Sequence, residues 1–339
     1  MTFRELRDWA HSPLAAVLAE YPALCRPERV EELVRAGLSG AEIYRLTTPL
    51  GLLCLRRWPS EHPILELLRY MHGLLRHLHA LGFLRVAAPL GTNTGDTFVR
   101  SQDHFWELTP WLAGAADWRE RPNMPRLEAA LRALAEFHLA AATFRLCTNH
   151  PGRSWNLRRR LRQAQPDLAD KWRAQELPRD AWPELASLVP RFCTAFERVW
   201  PELVGKLTTA SYLPVRLQPC LRDIWHENVL FEGDAVSGLV DFGAVAEDSV
   251  AVDVARLLGS MAGDDRALWK LGLAAYRAIR PLSWEERAVV AASDRSFVAL
   301  AGFQWLEWIV IDRREFPDRA RVLERLTEIL SRLEHWAKS

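Results

Sequence analysis

The chain has 339 residues, 49% hydrophobic and 26% charged, a globular balance that argues against wholesale disorder and leaves ample sequence to bury a core. A formal net charge of +1 offers none of the basic excess that marks nucleic-acid or membrane-surface binders. Four of the 44 basic residues are lysines (Lys171, Lys206, Lys270 and Lys338), leaving 44 − 4 = 40 arginines and no lysine in the first half of the chain.

The five cysteines (Cys25, Cys54, Cys147, Cys193 and Cys220) are scattered and form no CxxC pair, which fits reduced thiols better than a disulfide frame or a zinc site. The N-terminus opens with charges and lacks the apolar core of a signal peptide, and no apolar run approaches the roughly 20 residues that span a bilayer. A cytoplasmic protein without a membrane or nucleic-acid partner is expected.

In chain order, the first 30 residues read as helix broken by Pro13, Pro22 and Pro27, packing outside the main body. A short strand over Leu33–Ala36, a turn at Gly37-Leu38-Ser39-Gly40 and a strand over Ala41–Thr47 follow. A hairpin turn at Thr48–Gly51 leads into Leu52–Arg56. Ile64, Leu67, Leu68, Met71, Leu74, Leu75 and Leu78 recur at helical spacing. Val86–Leu90, Thr97–Arg100 and Phe105–Leu108 read as further strands. Beyond Pro110 the pattern turns helical, with apolar faces in Arg126–Ala141 and Arg319–Trp336. The arginine-rich stretch Asn156–Arg173 reads as a solvated helix or insertion. The fold class this implies is α+β, with a mainly antiparallel sheet lobe carrying one major helix over residues 1–109 and a larger helical lobe over 110–339.

One island of strand interrupts the helical half. Asp223 is followed five residues later by Asn228, then a strand, a turn at Gly233-Asp234, a second strand and Asp241-Phe242-Gly243. That order has the chemical logic of phosphoryl transfer. Asp223 orients an acceptor hydroxyl and receives its proton. Asn228 supplies an oxygen to one Mg²⁺, and Asp241 bridges metal to the β- and γ-phosphates. Mg²⁺ asks for one or two carboxylates plus phosphate oxygens, so two protein residues suffice. Gly243 frees the backbone just after the metal ligand.

Through these residues, and through Asp253-Val254-Ala255-Arg256 beyond them, the chain resembles the aminoglycoside phosphotransferase family, small-molecule kinases with the protein-kinase fold. The resemblance runs from about Gly37 to the C-terminal helices and implies a bilobal, protein-kinase-like architecture with an ATP cleft. It implies that Gly37, Ser39 and Gly40 fold a loop over the ATP phosphates. Leu53-Cys54-Leu55-Arg56 corresponds to the kinase Val-Ala-Ile-Lys strand. Because side chains alternate, Cys54 and Arg56 share a face: Cys54 floors the adenine and Arg56, in place of the usual lysine, reaches the phosphates. Glu66, the one acid inside the following helix, is the expected partner of Arg56. Phe105–Pro110 resembles the hinge, so backbone groups at Glu107 and Leu108 are expected to bind the adenine edge.

The chain departs from the family where Leu221-Arg222 stands in place of His-Gly before the catalytic aspartate. His138 reads as core and His226 as a satisfied loop histidine. Phe303, Trp305, Glu307 and Trp308 occupy the stretch that lines the acceptor pocket in the family, and otherwise read as core. A polycationic acceptor needs acids, for which Glu247-Asp248 and Asp264-Asp265 are candidates, or else solvated turns. The implied function is ATP- and Mg²⁺-dependent phosphorylation of a small-molecule hydroxyl: aminoglycoside, sugar, amino alcohol or a similar metabolite. The alternative is a nucleotide-binding pseudokinase, favoured by the missing histidine and lysine and opposed by the intact Asp223, Asn228 and Asp241.

Overall fold

The computed structural model describes residues 3–33, 40–144, 151–178, 180–316 and 318–338. The chain divides into two compact units, Met1–Arg121 with Glu227–Val245, and Pro122–His226 with Ala246–Ser339.

The first unit is built on a six-stranded antiparallel sheet: β1 Phe3–Glu5, β2 Arg29–Leu33, β3 Glu42–Thr48, β4 Gly51–Arg57, β5 Val99–Ser101 and β6 His104–Pro110, ordered β1-β2-β3-β4-β6-β5. Alternation decides its two faces. Tyr44, Leu46, Leu53, Leu55, Trp106 and Leu108 turn to one side, where Leu14, Val17 and Leu18 of α1 (Pro13–Ala19) complete a core. The opening residues therefore do not pack outside the body: β1 forms the sheet edge and α1 covers a sheet face, because its three apolar residues recur on one stripe. Ser12 caps α1 by accepting the Leu14 N–H, with Pro13 at the first helical position.

α2 runs over Leu65–Ala80 with Leu68, Met71, Leu74, Leu75 and Leu78 buried as the spacing predicts, whereas Ile64 precedes the helix and is exposed and Leu67 is half-buried. The segment 86–90 is not a strand. It runs irregularly, held beside β6 by the Leu90 N–H to Leu108 O bond at 2.8 Å. The hairpin β10 (Val229–Glu232) and β11 (Ala235–Leu239) completes this unit. It is tied in by reciprocal Ala115–Phe231 backbone bonds of 3.0 and 2.9 Å and by Leu239 N–H to Arg85 O at 2.7 Å. Gly114, at φ +97°, lies so close to Phe231 and Ser237 that no side chain fits there.

The second unit is mainly helical: α3 Met124–Ala141, α4 Trp155–Gln163, α5 Leu168–Ala174, α6 Leu185–Ser211, α7 Val250–Ala262, α8 Arg266–Arg277, α9 Trp284–Leu306 and α10 Arg319–Trp336. Short strand pairs brace it, β7 (Pro151–Gly152) with β8 (Val215–Arg216) and β9 (Gln218–Cys220) with β12 (Ala246–Asp248). The central α7 is apolar nearly all round, and ten of its residues are buried, which places it inside the bundle. A reciprocal Ser283–Glu286 box starts α9. The arginine-rich stretch is not a solvated insertion: α4 and α5 bury Asn156, Leu157, Arg160, Ala169 and Trp172. No helix of the described residues is long and apolar enough to cross a membrane.

Candidate active site

In the first unit the hairpin β10–β11 positions two candidate ligands at its open end. Asn228, largely buried, precedes β10, and its carbonyl accepts the Val240 N–H at 3.0 Å. Asp241 follows β11 in left-handed backbone at φ +66° with its side chain exposed. Only Asn, Asp and Gly take up that conformation readily, so the turn is compatible with the aspartate itself. Gly243 then packs under Trp58, where an added Cβ would stand 3.3 Å from the indole, and its carbonyl meets His62 Nε2 at 3.0 Å. Its φ lies outside the left-handed region, so the glycine serves close packing and not the backbone freedom expected of it.

The sheet face opposite the α1 core carries Cys54, Arg56 and Glu107. Arg56 lies 4.7 Å above Trp58 and 3.6 Å from Glu107, and Glu107 is bonded to His72 of α2 at 2.6 Å. Burial works against the Arg56 cation, but Glu107 foremost, with Cys54 and Asp241, holds its pKa above the ordinary value. Asp241 is therefore within electrostatic reach of Arg56. Burial would raise the Glu107 carboxyl; the His72 hydrogen bond and the Arg56 charge outweigh it and hold the group below its usual range. Burial also pushes the Cys54 thiol up to about 11, which leaves it neutral and inert.

Two expectations are corrected on this face. The carboxylate that meets Arg56 is Glu107, not Glu66, which is exposed in the first turn of α2. β6 lies directly beside β4, with Glu107 opposite Arg56, whereas a helix residue has to reach across the sheet face. The backbone at Glu107 and Leu108 is paired to β4 on one edge, and on the other Leu108 O is taken by the Leu90 N–H, so that carbonyl is no free adenine edge. Of the phosphate-loop residues, Gly40 stands at φ +75°, while Gly37 and Ser39 lie outside the described residues.

The loop bearing Asp223 belongs to the second unit. Its anchor is the buried Asp253 carboxylate of α7, which accepts the N–H groups of Leu221 at 2.7 Å and Arg222 at 2.6 Å. His138 Nε2 contacts the same carboxylate at 3.0 Å, and its Nδ1 meets the Tyr276 hydroxyl at 2.8 Å. Burial outweighs the attraction of Asp253 and keeps the His138 pKa below 6.5. Arg222 sits at φ +66°, a conformation free to the glycine of the family pattern and costly to arginine. The two bonds to Asp253 hold it there, so the loop keeps its path despite the substitution. Asp223 then projects, with its side chain 61% exposed, and accepts Arg256 at 2.8 Å. His226 is buried, and its N–H donates to Ser260 Oγ at 3.0 Å.

Neither Asp253 nor His138 was singled out for this anchoring from the sequence. The available signal was the Asp at the start of an apolar helix, a position that normally caps or sits in solvent. Phe303 and Trp305 of α9 are core, Phe303 packing with Phe196 at 5.1 Å and Phe192 at 6.2 Å; just beyond α9, Trp308 is half-buried against Trp305 at 5.0 Å and Glu307 is exposed. The acid pairs are structural, with Asp265 capping α8, Asp264 paired to Arg332, and Asp248 buried on backbone N–H groups.

A family model described as "phosphotransferase enzyme family" matches residues 31–291. A homoserine kinase of Mesorhizobium japonicum is 30% identical over 248 residues, covering 70% of each chain. An amicoumacin kinase solved with AMP-PNP and Ca²⁺ shares the fold at TM-score 0.64 and 16% identity, covering 98% of this chain and 94% of that one. A microcompartment-associated aminopropanol kinase does so at TM-score 0.63 and 17% identity, covering 95% and 94%. The fold is α+β and protein-kinase-like. The chain belongs to the phosphotransferase enzyme family and is a small-molecule kinase that moves the γ-phosphoryl group of ATP to a hydroxyl.

Proposed function

We propose that Asp223 aligns the acceptor hydroxyl and takes its proton, while Arg56, Asn228 and Asp241 serve the nucleotide. The observation that carries this reading is Asp241, exposed at the end of β11 and in electrostatic reach of a guanidinium that Glu107 and His72 already hold in place. A fixed cation of this kind costs no reorganisation when the phosphates arrive.

The donor set suits a hard divalent cation. Asn228 offers an amide oxygen and Asp241 a carboxylate, the oxygen ligands that Mg²⁺ accepts beside phosphate and water. These two residues would hold Mg²⁺, which when bound neutralises charge on the transferring phosphoryl group. The rest is positioning: Asp223 sits on a loop whose path is tied twice to Asp253, so its carboxylate is presented without searching. The ion pair with Arg256 holds that carboxylate in one orientation. The homoserine kinases that this chain resembles make a hydroxylated amino acid the first acceptor to try. A cytoplasmic setting belongs to the same reading.

The test is ADP release from ATP and Mg²⁺ across a panel of hydroxylated amino acids, amino alcohols, sugars and aminoglycosides. With the best acceptor, Asp223→Ala is expected to lose about 10²–10⁴-fold in kcat while retaining ATP binding. Turnover undiminished in the variant would remove Asp223 from the chemistry.

A further inference from the structure

Four guanidinium groups gather around Asp223 in the second unit. Arg222 and Arg159 lie over the Trp155 ring at 4.8 and 5.4 Å, and Arg160 and Arg256 over Phe297 at 4.9 and 5.1 Å. The acids near them are two. Asp223 takes Arg256, and Asp248 is buried and already accepts the N–H groups of Asn156 and Ser249.

Arg160 is the informative member. It is 9% exposed, and among the described residues it has no hydrogen-bond or ion-pair partner; its buried Nε is unsatisfied. The buried Nε atoms of Arg159, Arg222 and Arg256 are likewise without a partner. Stacking on an aromatic face recovers part of the cost of burying a cation, but far less than a paired oxyanion does. Burial, with repulsion from Arg159 and Arg256, outweighs the attraction of Asp223 and pushes the Arg160 pKa down to about 9, the mark of a charge the protein compensates only in part. Guanidinium groups bind carboxylate and phosphate through paired N–H donors, and a cluster beside the hydroxyl-aligning residue sits where an acceptor's own charge would lie.

We propose that the acceptor is an anionic hydroxyl compound whose carboxylate or phosphate binds Arg160 and Arg222, with Arg159 and Arg256 alongside; this rests on the reading of Asp223 as the residue that faces the acceptor hydroxyl. A polycationic acceptor meets repulsion at the same place.

The experiment uses matched pairs in the ADP-release assay: L-homoserine against 3-amino-1-propanol, which lacks only the carboxylate, and glycerol 3-phosphate against glycerol, with kanamycin as the polycation. Wild type, Arg160→Met and Arg160→Lys are compared. The anionic member of one pair is expected to exceed its uncharged-end partner by about 10- to 100-fold in kcat/KM, and which pair responds tells carboxylate from phosphate. Arg160→Met removes that preference through KM for the acceptor, leaves KM for ATP within about twofold, and does not lower Tm, since it removes an unpaired buried charge. Arg160→Lys keeps the preference in part and serves if the Met variant fails to fold. Preference for kanamycin or for the members lacking the carboxylate or phosphate, or an Arg160 effect on KM for ATP alone, overturns the proposal. If no compound stimulates ADP release, the kinase reading fails separately. Calorimetric binding of L-homoserine and glycerol 3-phosphate then decides: binding to wild type that Arg160→Met abolishes supports the anion site, and no binding overturns it.

Discussion

Arg56 in the first unit and Arg160 in the second are both withdrawn from water, and each lies over an aromatic ring, Trp58 at 4.7 Å and Phe297 at 4.9 Å. The protein treats their charges oppositely. Arg56 has Glu107 at 3.6 Å, itself fixed by His72, and its pKa ends above the ordinary value although burial pulls it down. Arg160 has no ion-pair or hydrogen-bond partner among the described residues, the attraction of Asp223 does not offset its burial, and its pKa falls. A cation compensated from within stays in place whether or not a ligand is bound, as a residue awaiting a phosphate should. An uncompensated one is completed by what binds it, and so reports the charge of the ligand. The difference lies in neighbours rather than residue type.

Removing the compensation should turn Arg56 into a second Arg160. Glu107→Gln preserves shape and leaves the guanidinium facing a neutral amide, so we expect a loss of about 3 kcal/mol in denaturant unfolding together with a raised KM for ATP. Unchanged stability would mean that the pair contributes nothing and that the contrast is one of geometry only.

Acid sharpens the comparison with a smaller effect, about 1 kcal/mol over the accessible range. Glu107 titrates below its ordinary 4.5 in the folded state, so its contribution is full above pH 4.5 and is lost as pH falls through the lower folded value. His138 is held below 6.5. The unfolded chain therefore takes a proton before the folded one does, and stability declines as pH drops below 6.5. Hydrogen exchange should show the Leu221 and Arg222 amides, tied to Asp253, losing protection from about pH 6.5 downward. The Trp58 amide, bonded to Phe105 O, should keep its protection to below 4.5. Simultaneous loss at both places would count against separate titration. The smallest effect is the control: Glu66→Gln, on an exposed side chain, should change stability by less than about 0.5 kcal/mol and leave KM for ATP alone.

Much of this architecture is legible in the primary structure because it is written at short range. The alternation in Leu53-Cys54-Leu55-Arg56 sorts two sheet faces, the spacing from Leu68 to Leu78 marks the buried stripe of α2, and the turn at Gly233-Asp234 joins β10 to β11. The order Asp223, Asn228, Asp241 could be read as a phosphoryl-transfer set for the same reason, since its members lie within one loop and one hairpin. Val86–Leu90 misleads: it is apolar enough for a strand, yet it gains only one described backbone bond to β6, from Leu90 to Leu108 beyond the stretch that β5 pairs. The arginines of α4 mislead in the other direction, because a run of charge usually faces water, and here Arg160 does not.

What the sequence by itself determined are the periodicities, the turns and the spacing of the chemical groups, all settled by residues within a few positions of one another. The packing of distant elements chose the partners: Glu107 rather than Glu66 for Arg56, Asp253 beneath Arg222, and no ion-pairing acid among the described residues for Arg160. The two pairs join residues 51 and 31 positions apart, and a charge's environment is set by which elements come to lie against it, which no local pattern encodes.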